Sequence, residues 1–237
     1  MRAVYRRELQ GYFLSPIAYV FIGIFMLVSG IFFAMTNVLS QQADFNGMLG
    51  NLTFLFMLIV PVLTMKLLSE ERKNKTDQLL LTAPVSLVSI VVGKYLAAVT
   101  VFLVTLVVSA IYPITLFLYG NPSLVEILNG YLGFFLLGSA LIAVGLLMSG
   151  LSENQVTAAV STFGVLLLLW LGGDVLSSLI SVDWINSVLD WFSVYNRFQN
   201  FTAGLLSITQ VIYYISFSAV FVFLTIRLLE SRRWREV

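Results

Sequence analysis

Apolar residues fall into six long blocks along the chain, separated by polar stretches of uneven charge. The first block, about residues 16–36, opens on Ser15-Pro16. Serine suits a helix cap, and proline in the first turn forfeits no hydrogen bond. Further blocks follow at about 52–68, 88–118, 124–149, 156–173 and 208–229. A membrane helix needs about 20 mostly apolar residues, so the pattern predicts six spans. Block 88–118 is longer than a bilayer requires. Either it tilts or its first turns, carrying Lys94, project into water. Pro61 and Pro113 lie inside blocks and are expected to bend them.

Two stretches show helical periodicity without a continuous apolar run. In residues 2–14, Tyr5, Leu9, Tyr12 and Phe13 share one helical face, and Arg2, Arg6 and Gln10 share another. This predicts an amphipathic helix in the membrane interface, with a frayed tail as the alternative. Residues 174–207 mix Asp174, Asp183, Asp190 and Arg197 with apolar residues. Trp184, Val188, Trp191 and Tyr195 fall on one face there, which predicts an interfacial or re-entrant helical segment with aromatic anchors. Trp184, Trp191, Tyr195 and Arg197 are its candidate interface residues.

Composition agrees with the pattern. Hydrophobic residues make up 59% and charged residues 11% of the 237 positions, where soluble domains carry about a quarter charged. The fold class is an all-α membrane protein: one transmembrane domain over 1–237, six spans, an interfacial helix at 1–14 and an extracytoplasmic helical segment at 174–207. Arg6, Arg7 and Glu8 before the first apolar block argue against a cleaved signal peptide. With six spans both termini share a side. Twelve of the thirteen basic residues fall on that side, and Arg197 alone falls opposite. The positive-inside rule then places both termini in the cytoplasm.

The chain has no cysteine and no histidine, which excludes disulfides, cysteine metal sites and imidazole catalysis. It has no G-x-x-x-x-G-K-[ST] phosphate loop. No block carries a charge near its centre, as ion-coupled transporters usually require. Any energy is expected to come from another chain. An enzyme embedded in the membrane is disfavoured on the same grounds, and no nucleic-acid partner is expected.

The densest charge lies in the connection 69–87, between the second and third blocks. Glu70, Glu71, Arg72, Lys73 and Lys75 precede the apolar run Leu79, Leu80 and Leu81, and Ala83-Pro84 follows. A hydrophilic connector has no need of three leucines. The loop reads as a short docking helix whose leucines fill a partner's cleft while its basic residues orient it. The plainer reading is a topogenic basic loop at the headgroups.

Residues 70–85, E-E-R-K-N-K-T-D-Q-L-L-L-T-A-P-V, resemble the first cytoplasmic loop of ABC-2 type transporter permeases. Positions matching the family pattern are Glu70, Glu71, Arg72, Thr76, Leu80, Leu81 and Pro84, then Gly93-Lys94 at the start of the next span. Lys75 stands where glycine is usual, and Gln78 where an acid is usual. The aromatic-rich stretch 195–214 with Gly204-Leu205-Leu206 is similar too. Within the family the chain looks most like permeases of gliding motility and of nitrous-oxide-reductase maturation.

The resemblance implies a permease of the bacterial cytoplasmic (inner) membrane that exports its substrate. A separate ATPase, carrying ATP and magnesium, would dock on Glu70, Glu71, Arg72, Thr76, Leu79, Leu80, Leu81 and Pro84. The chain itself would need no cofactor. A second permease, identical or not, would pair along spans 2 and 5. That makes Asn51, Thr53, Phe54, Met57, Thr157, Ser161 and Phe163 pathway candidates, with plain helix packing as the alternative for each. Membrane lipids and an extracytoplasmic protein are further expected partners. The rival function is a force-transmitting scaffold through which nothing crosses.

Overall fold

The computed structural model of the chain describes residues 1–75, 86–179, 194–204 and 207–233, with backbone alone for 172–179. Its described elements are all helical: α1 (Arg2–Leu14), α2 (Pro16–Phe33), α3 (Phe45–Thr64), α4 (Ser69–Lys73), α5 (Leu87–Ser109), α6 (Ile111–Tyr119), α7 (Leu124–Leu151), α8 (Gln155–Leu179), α9 (Val194–Thr202) and α10 (Ile208–Arg233). A π-helical stretch, Ala34–Leu39, prolongs α2. Among the described residues, five helical stretches are long and apolar enough to cross a membrane, and Gln155–Leu171 of α8 is a shorter apolar one.

Helix α7 forms the centre. It is buried nearly all round, and glycine makes that possible, because small residues let helices approach closely in lipid. A Cβ on Gly145 would stand 2.7 Å from Cβ of Thr64 on α3. One on Gly133 would stand 2.5 Å from the Phe201 ring on α9. Phenylalanines from α7 and four other helices meet there. Phe56 lies 4.9 Å from Phe102 and 5.0 Å from Phe134 between ring centroids. Phe25 and Phe198 extend the cluster from α2 and α9. Such aromatic pairs contribute about 0.5–1.5 kcal/mol each beyond their buried area.

Several boundaries differ from the sequence reading. The second apolar helix begins at Phe45, not near residue 52. Asp44 caps it by accepting from the Gly47 N–H at 2.8 Å. The third block is two helices, α5 and α6, divided at Ala110, with Pro113 in the first turn of α6. Helix α8 runs on to Leu179, so the segment taken to start at 174 begins as its continuation. Lys94 does not project into water: it is 2% exposed.

The two ends of the bundle differ in chemistry. At one end α1, α4, the turn after α7 and the close of α10 converge, and the basic residues gather there. Arg232 near the end of α10 donates to the Gly150 carbonyl at 2.6 Å. At the far end the ties are neutral amides. Asn46 donates to the Glu126 carbonyl at 3.0 Å, and Asn129 donates to that of Gly204 at 2.9 Å. Gly204 closes α9 at φ +76, a left-handed turn that suits glycine.

Candidate docking stem

The described part of the candidate docking loop is its stem, α4. Its five residues are too few to be stable alone, because helix nucleation is costly. Its stability must come from neighbours, and each neighbour is a different element. Ser149 at the end of α7 accepts from the backbone N–H groups of Leu68 and Ser69, at 3.0 and 3.1 Å. These are donors that the start of a helix leaves without intrahelical partners. The Ser149 hydroxyl in turn donates to the Met65 carbonyl at 3.2 Å. Ser69 donates to the same carbonyl.

Glu70, Glu71 and Arg72 of the stem are each paired. Lys66 meets Glu70 one turn on, at 3.3 Å. Arg72 reaches the turn between α7 and α8, donating to the Leu151 carbonyl and pairing with Glu153, both at 3.1 Å. Glu71 points inward to the buried Lys94 ammonium on α5 at 2.8 Å. Lys94 also pairs with Glu8 of α1 at 3.0 Å. Burial pushes the Glu71 carboxyl above its ordinary range, and the nearby Lys94 charge offsets only part of that.

The stem ends at Asn74, and Lys75 follows at φ +54. That left-handed conformation is the one glycine adopts without strain, and Lys75 is the position where the resembling loops carry glycine. Thr76, Leu79, Leu80, Leu81 and Pro84 lie outside the described residues.

Helix α1 completes the basic end. Tyr5, Leu9, Tyr12 and Phe13 turn inward as their spacing predicts, and Arg2, Arg6, Arg7 and Gln10 stay exposed. The inward face rests on protein: Tyr5 shares a hydrogen bond with Thr100 of α5 at 3.0 Å. A Cβ on Gly93 would stand 3.1 Å from Val4, so the bare glycine sets how closely α1 crosses α5. Tyr12 donates to the Leu63 carbonyl at 2.8 Å. Burial, with Glu8 and Glu70 nearby, raises the pKa of its phenol.

The pathway candidates separate. Asn51, Phe54 and Thr157 are exposed. Thr53 and Met57 are buried inside the protomer against α7 and α8. Phe54 lies 5.0 Å from Trp170. Ser161 and Phe163 are half-buried, and Ser161 donates to the Ala158 carbonyl. At the far end Tyr195 packs edge-on against Trp170, and the Arg197 guanidinium lies 4.0 Å above the Tyr213 ring. Trp184 and Trp191 lie outside the described residues.

Sequence reasoning missed Lys94, Glu8, Ser149 and Tyr12 as parts of this site. One signal was available: Glu8 is the sole acid in a basic helix.

Among curated proteins none matches the chain. The family profile described as ABC-2 family transporter protein matches residues 36–229, most of its length. The match takes in the stem, Ser149 and Lys94, and it stops short of α10's last turn. The chain belongs to the ABC-2 transporter family, and is a multi-pass membrane subunit of an ATP-binding-cassette transporter.

Proposed function

We propose that this subunit is the permease of an exporter, and that a separate cytoplasmic ATPase drives it through residues 70–84. The observation that carries this reading is how α4 is fastened. A surface loop kept only for topology needs no buried ties. This stem has them to α7 through Ser149 and to α5 and α1 through Lys94, and a surface pair joins Arg72 to the α7–α8 turn. A push on α4 therefore reaches four elements at once.

In this reading the basic end faces the cytoplasm of a bacterium, in keeping with the positive-inside rule. Helix α8 is the fifth of six spans. A second permease packs on the exposed outer faces of α3 and α8, where Asn51, Phe54 and Leu58 recur at i, i+3 and i+7. Closing of the ATPases on ATP and magnesium shifts the two stems and opens the interface between permeases.

The test is purification of the tagged chain from membranes of its own host, followed by reconstitution in liposomes. Support is a co-purifying chain with magnesium-dependent ATP hydrolysis. A pure permease with no hydrolysing partner contradicts the reading.

A further inference from the structure

Lys94 is the buried cation of the basic end, 2% exposed and seven residues into α5. Its ammonium has three donors. One serves Glu8 of α1 at 3.0 Å and another serves Glu71 of α4 at 2.8 Å. The two carboxylates arrive on elements with different anchors. Glu71 rides on the stem. Glu8 rides on an amphipathic helix with its arginines exposed.

The charge arithmetic makes this set unlike a simple ion pair. One lysine with two carboxylates carries a net negative charge. Either carboxylate can leave and the buried lysine stays neutralised by the other. In a single pair, separation strands a buried charge without a partner, which is strongly unfavourable. A cavity of about 370 Å³ adjoins the set, lined by Arg7, Tyr12, Lys66 and Asn74 among others. The Glu8 and Glu71 side chains are 21% and 18% exposed, so they lie at its edge. There is room for one carboxylate to swing away while the other remains.

We infer that Lys94 is a positioning residue that makes α1 follow the docking stem, by sharing its ammonium between Glu71 and Glu8. The inference rests on the permease reading above. Movement of α4 draws Glu71 along, and Lys94 shifts its pairing between the two carboxylates. Helix α1 is thereby repositioned against α5 in each cycle. A role confined to stability makes a different forecast, because neutral side chains of similar size serve packing equally well.

The experiment uses the complex of this chain with the ATPase that co-purifies with it, in liposomes with ATP and magnesium. The chain lacks cysteine, so single spin labels can be placed cleanly. Labels at exposed Gln10→Cys on α1 and Lys73→Cys on α4, each paired with Tyr119→Cys at the far end, follow the two helices separately. The parent is expected to show both labels moving with nucleotide.

Glu8→Gln keeps the Lys94–Glu71 pair balanced and so should fold. In it the α4 label should move and the α1 label should stay, with coupled hydrolysis lower on the order of tenfold. The neutral triple Lys94→Met, Glu8→Gln and Glu71→Gln should assemble and show the same loss. Lys94→Arg, which keeps a cation for both carboxylates, should restore α1 movement. If α1 moves as in the parent in Glu8→Gln or in the triple, Lys94 does not transmit and the inference falls. Loss in Lys94→Arg equal to that in the triple also counts against it. A parent that binds no ATPase overturns the permease reading instead.

Discussion

The hydroxyl of Tyr12 donates to the main-chain carbonyl of Leu63 at 2.8 Å. The Leu67 N–H that would serve this carbonyl in a continuing helix bonds Thr64 instead. Tyr12 thus satisfies an acceptor that the end of α3 leaves over. Tyr12→Phe keeps the ring and deletes the donor. Stranding a buried acceptor costs about 1–3 kcal/mol, so thermal unfolding in detergent should start several degrees lower.

Glycines should separate by what they face. Gly145→Ala drives a methyl into Thr64, which is itself fully buried. Overpacking of this kind costs about 1–3 kcal/mol. Gly23 meets nothing within 4 Å, and Gly23→Ala should hold stability or raise it by up to about 1 kcal/mol. Parallel melts of the two variants check both.

Lys75 stands at φ +54. Lys75→Gly removes the left-handed penalty and should leave the melting temperature unchanged or higher. Lys75→Val adds a β-branched side chain at the same φ, and should lower stability by about 1–2 kcal/mol. An equal effect of the two would mean that the turn is not held in this conformation.

Orientation is tested by labelling. Lys75 lies at the basic end, and exposed Gln42 lies beside the far-end turn at Gly120. Cysteines placed singly at these positions should react with an impermeant maleimide from opposite sides of the membrane, Lys75→Cys from the cytoplasm. Reaction of both from one side would break the proposed topology.

Much of this fold could be read from hydropathy. Apolar blocks mark helices because lipid leaves the backbone no other partner, and the α1 face appears at the expected spacing. Asp44 and Lys94 escaped because a charge in sequence looks the same whether solvated or paired. Asp44 is a cap, visible only with the Gly47 N–H beside it. Lys94 needs Glu8 and Glu71, distant in the chain, to be tolerable inside. Ser149 looked like one more serine in a span, since its work is done on Leu68 and Ser69 of another element. The charged stem was legible as a connection between apolar blocks, because a run of charge is a local pattern.

If the ATPase grips the loop carried by α4, Leu80→Asp should break that grip. Burying one leucine against a partner contributes about 1.5–3 kcal/mol, and a carboxylate there adds a desolvation cost. Lys73 is exposed, so Lys73→Ala should change binding by no more than about 1 kcal/mol. The measurement is co-purification of the ATPase with each variant, at equal amounts of membrane-inserted chain. Lys73→Ala should give full recovery of the ATPase, and Leu80→Asp should lose most of it. Recovery of the ATPase with Leu80→Asp at the parent level would contradict the proposed grip.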